Sequence, residues 1–313
     1  MLKFVVRRLF ATLPVLGIVA VLVFMLLRLT PGDPAAMLAG DAANAMQIEH
    51  IRRSLGLDQS LMVQFGRWLL HVVQGDLGES FYFKMQVTQL IAQRLEPTLA
   101  LASLSLCLAV SIAVPLGVFA AWRLDSGFDR VLMGASVLGF SVPVFVLAYV
   151  LIWIFSLQLD WLPVQGYESV RNGFWPWLRH LILPALTLSV VYIALIARIT
   201  RAAVIEVLGE DYIRTARAKG VSEARVLIRH ALANAGIPVL TVIGISLALL
   251  LSGVVVTESV YAIPGLGRLM VDAVLARDFP TIQGVVLFFS GLYVFLNLVI
   301  DLSYVFVDPR IRY

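Results

Sequence analysis

The sequence has few charged residues and a single cysteine. Charged side chains make up 14% of its 313 residues, against 60% hydrophobic ones, whereas soluble domains carry roughly 25% charged residues. This composition predicts a protein whose surroundings are largely lipid. Because Cys107 is alone, no intramolecular disulfide can form, and cysteine content says nothing about the redox environment.

The sequence also lacks the motifs of the common nucleotide-using and hydrolytic enzymes. None of its three lysines completes a Gly-x-x-x-x-Gly-Lys-Ser/Thr phosphate loop, and no Gly-x-Ser-x-Gly, His-Glu-x-x-His or Cys-x-x-Cys pattern occurs. The four histidines are scattered along the chain, so no metal site is predicted. We therefore expect a protein that is not an enzyme and does not itself hydrolyse ATP.

Long apolar stretches are the dominant feature of the sequence. A helix needs about 20 residues, with a range of roughly 17 to 25, to cross the hydrocarbon core of a bilayer. Six stretches of more than 16 residues contain no ionisable side chain apart from tyrosine and cysteine: 9–27, 97–122, 131–159, 181–197, 231–257 and 279–300. We predict an all-α membrane protein with six transmembrane helices. The absence of charges inside the spans disfavours proton coupling, whereas sodium coupling through backbone oxygens stays open.

The placement of Lys and Arg predicts the orientation, because these residues collect in short cytoplasmic segments. With the N-terminus inside, fourteen of the 24 basic residues fall on the cytoplasmic side and four in short outer loops. Six spans then return the C-terminus to the cytoplasm. The net charge of +4 is explained by this topology, so no nucleic-acid partner is expected.

One sizeable segment lies outside the predicted spans. Residues 30–96 contain two amphipathic patterns, the first with Asn44 as a possible N-cap and Gly56 as a stop. Their apolar faces could bind a ligand, but packing is the more common use. We interpret residues 1–95 as a first, uncleaved span plus a periplasmic helical insertion, and residues 96–313 as a five-helix transmembrane core with a cytoplasmic loop at residues 198–230.

Four prolines fall inside predicted spans. A proline within a helix removes one backbone hydrogen bond and bends the helix, so Pro115, Pro143, Pro184 and Pro238 are hinge candidates. Kinks of this kind are frequent in membrane helices generally. Each proline alone is therefore weak evidence for movement.

Residues 198–230 form the most informative loop. They contain no proline and are rich in helix formers on both sides of Gly220. Gly220 can adopt a left-handed turn, Lys219 suits the end of a first helix, and Ser222 with Glu223 can cap a second. The pattern predicts a helical hairpin in the cytoplasm, suited to docking a partner. The alternative is a charged loop that only follows the distribution of basic residues.

At this hairpin the sequence resembles the permease subunits of type I ABC importers, in the dipeptide and oligopeptide family that includes nickel and glutathione permeases, and it looks like a B-type subunit. The likeness extends over essentially the whole chain. The motifs that carry it are Asp211-Tyr212-Ile213-Arg214-Thr215-Ala216-Arg217-Ala218-Lys219-Gly220, Thr30-Pro31-Gly32-Asp33-Pro34, Leu55-Gly56-Leu57-Asp58, Gly75-Asp76-Leu77-Gly78-Glu79-Ser80, Ser141-Val142-Pro143-Val144-Phe145, Ile263-Pro264-Gly265-Leu266-Gly267 and Asp308-Pro309-Arg310.

The sequence departs from the broader importer pattern at two places. That pattern begins with Glu-Ala-Ala and ends with Leu-Pro, whereas this chain has Arg214-Thr215-Ala216 and then Leu232-Ala233. The Arg-Thr-Ala form looks like the peptide branch. Ser60 also replaces a proline that is usual after Leu-Gly-Leu-Asp-Gln, which affects only a local turn.

The resemblance implies half of a translocation pathway in the bacterial inner membrane. The expected partners are a second homologous permease, two ATPase subunits that carry ATP and magnesium, and a periplasmic binding protein that delivers peptides or similar small solutes. No cofactor is expected on this chain. The alternative is a self-sufficient channel or a sodium-coupled secondary carrier. Dipeptides, oligopeptides, glutathione, nickel and heme all stay open as substrates, and no substrate-binding residues are predicted.

The resemblance also implies that residues 211–230 couple the permease to the ATPase. Gly220 would supply the turn and residues 222–229 the docking helix, with Arg214, Arg217, Glu223 and Arg225 as candidate polar contacts. The predicted coupling residues are Asp211, Tyr212, Arg214, Thr215, Ala216, Arg217, Lys219, Gly220, Ser222, Glu223, Arg225 and Arg229.

Overall fold

The computed structural model describes residues 2–29, 44–54 and 56–307. This part of the chain is helical, with one isolated β-bridge between Glu79 and Gln86. The family motifs at 30–34 and 308–310, and Leu55, lie outside the described residues. The chain divides into two compact units, one of residues 1–94 with 269–294 and one of residues 95–268 with 295–313.

The helices follow one another along the chain with short connections. Two of them continue directly into π-helices, in which each backbone hydrogen bond spans five residues instead of four. The bounds are α1 Leu2–Leu29, α2 Ala45–Ser54, α3 Leu61–Val73, α4 Val87–Trp122, α5 Gly127–Ser141, α6 Val144–Leu151 with π-helix Ile152–Gln158, α7 Phe174–Leu208, α8 Asp211–Ala218, α9 Glu223–Arg225 with π-helix Val226–Leu232, α10 Gly236–Val260, α11 Leu266–Leu275 and α12 Phe279–Val307.

The short helix α2 begins and ends as its sequence predicts. The Asn44 side chain accepts a hydrogen bond from the Gln47 amide at 2.9 Å, and the Gln47 side chain accepts one from the Asn44 amide at 2.9 Å. This reciprocal pair is a capping box. At the other end Gly56 has a φ of 65°, and the Leu57 amide donates to the Arg52 carbonyl at 3.0 Å. The predicted N-cap and stop are confirmed.

In the larger unit, α4, α6, α7 and α10 enclose one apolar core. A Cβ added at Gly117 of α4 would lie 2.6 Å from the Ala197 carbonyl oxygen of α7, so these two helices cross too closely for any other residue. Tyr261, which follows α10, shares a hydrogen bond of 2.8 Å with the Thr187 hydroxyl of α7. This bond ties the turn after α10 to α7.

The helix predicted for residues 131–159 is broken at Pro143. Val142 is extended, with a ψ of 121°, a conformation favoured before proline because the proline ring crowds a helical residue at that position. The Pro143 carbonyl then accepts from Val146 and Leu147 and begins a new helix. The two halves meet at 104°. Pro143 thus ends one helix and starts another rather than bending a continuous one.

The other three hinge candidates occupy different positions in their helices. Pro115 lies inside α4 and Pro184 inside α7. Pro238 lies in the first turn of α10, where a missing amide hydrogen breaks no helical bond. Their role as hinges stays a prediction.

Within the described residues, four helices are long and apolar enough to cross a membrane: α4, α7, α10 and α12. The bent pair at Pro143 makes a fifth if it counts as one span. Helix α1 contributes a shorter apolar stretch, Phe10–Leu26. These helices make the chain a multi-pass membrane protein, while the count of six spans and the orientation of the termini stay predictions.

Candidate functional site: the Gly220 hairpin

The Gly220 hairpin, residues 209–234, is built from two short helices that meet at a left-handed glycine. Gly220 has a φ of 77°. Its amide donates to the Arg217 carbonyl at 2.9 Å, and the Val221 amide donates to the Ala216 carbonyl at 3.2 Å. These bonds close the last turn of α8 in the way that a glycine stop requires. The helix-glycine-helix arrangement predicted from the sequence is confirmed.

The requirement for glycine at position 220 is conformational. No atom lies within 4 Å of a Cβ added there, so a larger side chain meets no obstacle. A left-handed backbone nevertheless strains every residue with a Cβ. Lys219 ends α8 as its C-cap, where its charge complements the helix dipole as predicted.

The second helix starts at Ser222 through its backbone. Ser222 is extended, and its carbonyl accepts from the amides of Arg225 at 2.9 Å and Val226 at 3.0 Å. Its side chain makes no capping hydrogen bond. The predicted start is therefore correct, but the expected capping by the Ser222 side chain is wrong.

Arg217 and Glu223 face each other across the turn. The Arg217 Nε donates to Glu223 Oε1 at 2.8 Å, and its Nη2 donates to Oε2 at 3.2 Å. Their side chains are 40% and 43% exposed. We call this pair the turn clamp, because it joins the residue three before Gly220 to the residue three after it. Two residues predicted to contact a partner thus contact each other.

The inner face of the hairpin is apolar and closely packed. Ile213 of α8 and Val226 of the second helix are fully buried. Ala231 lies in a small cluster with Ala121 of α4 and Ala203 of α7. Side chains this small bring the hairpin backbone close to these two long helices.

The outer face carries most of the predicted coupling residues. Ala216 and Glu223 are half-buried and the other ten are exposed. Arg214 pairs with Asp211 one turn earlier, at 3.3 Å, and the Thr215 hydroxyl donates to the Asp211 carbonyl at 3.1 Å. The face is therefore charged, mostly positive and open to a partner.

Two residues on the outer face, Tyr212 and Ile228, add apolar surface to it. Burial of part of the Tyr212 ring raises the pKa of its hydroxyl, Glu210 adds to this rise, and a hydrogen bond with Asn234 opposes it. Ile228 is 67% exposed and was missed in the sequence. No local pattern singles it out, because Val226, Leu227 and Ile228 are all apolar and only the fold decides which of them is buried.

The prediction of only two helices between 198 and 230 was incomplete. Helix α7 continues to Leu208, and the chain then breaks at Gly209 and Glu210 before α8 begins. Glu210 has an extended backbone at the N-cap position. A glycine followed by two acidic residues is a helix stop and start signal that could have located this break.

A buried ion pair lies near the hairpin and was also missed. Arg201 of α7 donates from Nε and Nη2 to the carboxylate of Asp129 in the first turn of α5, with Nη2–Oδ2 at 2.6 Å. Asp129 is 2% exposed and also accepts from the Asp125 amide at 3.1 Å. The pair fixes the start of α5 to α7 about two turns before the hairpin begins at Gly209.

The family motif at 263–267 wraps around a buried carboxylate. Glu258 of α10 is fully buried; its Oε1 accepts from the Thr98 hydroxyl at 2.6 Å and its Oε2 from the Arg268 amide at 3.0 Å. Thr98 in turn accepts from the Leu266 amide at 2.8 Å. A Cβ added at Gly265 would lie 2.0 Å from Glu258 Oε1. We call this arrangement the Glu258 cap, because it covers the N-terminus of α11.

A second buried carboxylate binds Ser80, the last residue of the motif at 75–80. Asp278 is fully buried before α12. Its carboxylate accepts from the Ser80 hydroxyl at 2.5 Å, the Phe81 amide at 3.0 Å and the Thr281 hydroxyl at 2.6 Å. Glu258 and Asp278 each lie one residue outside a predicted apolar stretch, and that position at a helix end was the signal.

No metal site is evident in this part of the molecule. Among the residues that the structure describes, no group of three or more His, Cys, Asp or Glu side chains is placed to hold a metal ion. The contacts that organise the hairpin and the two buried carboxylates are hydrogen bonds and ion pairs between protein groups.

Similarity to known proteins agrees with this geometry. The family model for the inner membrane component of binding-protein-dependent transport systems matches residues 113–313. The model for the N-terminal part of such membrane components matches residues 1–102. A chain from the inward-facing conformations of the MetNI methionine ABC transporter superposes with a TM-score of 0.59 at 18% identity, covering 70% of this chain and 97% of that one. This likeness shows the fold.

Full-length relatives are also similar. A protein of Sinorhizobium fredii named as a probable peptide ABC transporter permease is 53% identical over 310 residues, which cover 99% of each chain. The glutathione transport system permease protein GsiC of Salmonella typhi is 47% identical over 314 residues, which cover both chains fully. The predicted resemblance to ABC importer permeases is confirmed, and the family consists of transport components rather than enzymes. The chain belongs to the family of inner membrane components of binding-protein-dependent transport systems.

Proposed function

We propose that this chain is the permease subunit that forms half of the pathway of an ATP-driven importer for peptides or similar small solutes. The observation that carries the proposal is the Gly220 hairpin, whose outer face is charged and open while its inner face is packed against α4 and α7. Such a hairpin receives a movement on one face and passes it to membrane helices on the other. Membership of the family favours this function over a channel or a sodium-coupled carrier.

Energy comes from partners in this proposal. Two ATPase subunits hold ATP and magnesium, and they dock on the outer face of the hairpin through Arg214, Arg225 and Arg229, with Ile228 and Tyr212 as apolar contacts. The turn clamp keeps the two helices in register while the partner moves. Alternation of the Ala231 cluster between two packed arrangements would then open and close the pathway.

The remaining subunits follow from the same proposal. A second homologous permease completes the pathway, and a periplasmic binding protein delivers the solute. The chain lies in the inner membrane with both termini in the cytoplasm. Peptides are the proposed substrate class because the Sinorhizobium fredii relative is named for peptides, and the Salmonella typhi relative is named for glutathione, itself a small peptide.

A glycine substitution tests the coupling role. In the complex reconstituted with its ATPase, second permease and binding protein, Gly220→Leu is expected to abolish the stimulation of ATP hydrolysis by substrate-loaded binding protein, because Leu resists the left-handed turn. Basal hydrolysis and the amount of assembled complex should stay near those of the original chain. The measurement is the ratio of stimulated to basal ATPase rate in proteoliposomes.

Gly75 provides a matched control. It also has a positive φ, 84°, and open space around an added Cβ, but it lies after α3 and far from the hairpin in sequence. Gly75→Leu should retain most of the stimulation. Normal stimulation in Gly220→Leu, or equal loss in both variants, would contradict the proposal.

A further inference from the structure

Helix α3 carries more apolar surface than its contacts cover. Its polar side chains, Gln64, Arg67 and His71, form one stripe, and the other positions are apolar or glycine. At 3.6 residues per turn the centre of the apolar arc falls on Met62, Leu69 and Val73, about 180° from that stripe. None of the side chains of α3 is buried, and Met62 and Val73 are 83% and 77% exposed.

The polar stripe of α3 is occupied by its own neighbours. The Gln64 amide nitrogen donates to the carbonyls of Leu57 at 3.2 Å and Gln59 at 2.8 Å. His71 lies 3.2 Å from Asp76 in an ion-pair geometry. The chain before and after α3 therefore supplies partners for its polar stripe, while Arg67 and His71 stay exposed. The apolar arc faces the opposite way.

Arg28 determines the position of α3 along the axis of α1. Arg28 lies at the end of α1, and its guanidinium stacks 3.4 Å from the centre of the Phe24 ring and donates to the Gln64 side chain at 2.6 Å. An arginine that stacks on an apolar helix while its head reaches a polar group is typical of the membrane surface. The polar stripe of α3 thus lies at the level where α1 leaves the bilayer.

The apolar arc of α3 continues the apolar surface of α1. Phe24 contacts Phe65 and Trp68 with ring centres 5.1 and 5.6 Å apart. From that contact the helices diverge around an apolar groove of about 760 Å³, lined on α3 by Phe65, Leu69 and Val73. The α1 wall runs from Leu13 to Leu22, about 14 Å of helix. These residues belong to the apolar stretch Phe10–Leu26, so the groove opens at the depth of the acyl chains.

We propose that α3 is an interfacial helix that lies in the leaflet around the C-terminal end of α1. Its apolar arc is inserted among acyl chains, which fill the groove, and its polar stripe faces water. A large apolar arc opposite a narrow polar stripe is the pattern of helices that bind a membrane surface. This assigns α3 to the bilayer, whereas the sequence placed it in an insertion outside the membrane.

Paired cysteine variants test the assignment. In a Cys107→Ser background, Val73→Cys and His71→Cys carry a spin label at two exposed positions on opposite sides of α3, and Met62→Cys repeats the apolar position at the other end. The labelled chain is measured in the assembled transporter in lipid nanodiscs. We expect labels at positions 73 and 62 to collide with oxygen several-fold more than with a water-soluble nickel chelate, and the label at 71 to show the reverse.

Two outcomes would overturn the proposal. If the nickel chelate reaches positions 62 and 73 as readily as position 71, α3 lies in water. If neither reagent reaches 62 and 73, a protein surface such as the second permease covers the arc. Agreement between 62 and 73 guards against a local change at either site, and none of these outcomes depends on the hairpin or on ATP hydrolysis.

Discussion

The Gly220 hairpin and the Glu258 cap are both turns between helices, and glycine serves opposite purposes in them. At Gly220 the space beside the backbone is empty and the backbone is left-handed. At Gly265 the space is filled by the Glu258 carboxylate. The first turn is held by an exposed ion pair, and the second by a buried carboxylate with an amide and a hydroxyl as donors.

The difference indicates which turn can move. An exposed ion pair contributes about 0.2 to 1 kcal/mol, so the hairpin can adjust when a partner docks. A fully buried carboxylate is costly to move, because any rearrangement that breaks its hydrogen bonds leaves a charge without donors. The Glu258 cap is therefore a fixed point, and the Gly220 hairpin is an adjustable one.

The largest expected effect is that of Gly265→Ala. The added Cβ would overlap the Glu258 carboxylate, and relieving the overlap means moving a buried charge, so we expect a loss of about 3 kcal/mol in the free energy of unfolding. Gly220→Ala introduces the same methyl group at an open left-handed position and should cost about 1 kcal/mol. Thermal unfolding in detergent measures both. Equal losses in the two variants would remove the distinction between the turns.

The next effect is that of Glu258→Gln, which keeps the shape of the side chain and removes its charge. The amide offers one acceptor oxygen where two carboxylate oxygens now accept from Thr98 and the Arg268 amide. Hydrogen bonds to charged groups contribute about 1.5 to 3 kcal/mol, so the loss should be near 2 kcal/mol in thermal unfolding. The exposed Glu206 of α7 is the matched control, and Glu206→Gln should be nearly neutral. A neutral Glu258→Gln would show that the cap does not depend on charge.

The sequence predicted the hairpin far better than the cap, for a physical reason. A glycine between two stretches of helix formers is a local signal, and the turn at Gly220 depends on local backbone geometry. The Glu258 cap brings together residues 98, 258, 265 and 268, which no local pattern connects. The family motif Ile263-Pro264-Gly265-Leu266-Gly267 marked the place, but the purpose of its glycines depends on a side chain that only the fold brings near.

The same limit applies to the helices. Apolar length predicted the membrane helices α4, α7, α10 and α12, because crossing a bilayer is a requirement on composition. It could not predict the break at Pro143, since the same proline can kink a helix or end it depending on what packs around it. Nor could periodicity show that the Gln64 side chain of α3 donates to the carbonyls of Leu57 and Gln59, because that contact depends on how the preceding loop folds.

The smallest expected effect belongs to the turn clamp, and a charge exchange isolates it. Arg217→Glu and Glu223→Arg should each lower the stimulated-to-basal ATPase ratio of the reconstituted complex severalfold, because like charges then face each other across the turn, while unfolding changes by less than about 1 kcal/mol. The double variant Arg217→Glu with Glu223→Arg restores opposite charges and should recover most of the ratio. If both side chains instead contact the ATPase, the double variant will be at least as defective as the single variants. That result would show that Arg217 and Glu223 act through contacts with the partner and not through their contact with each other.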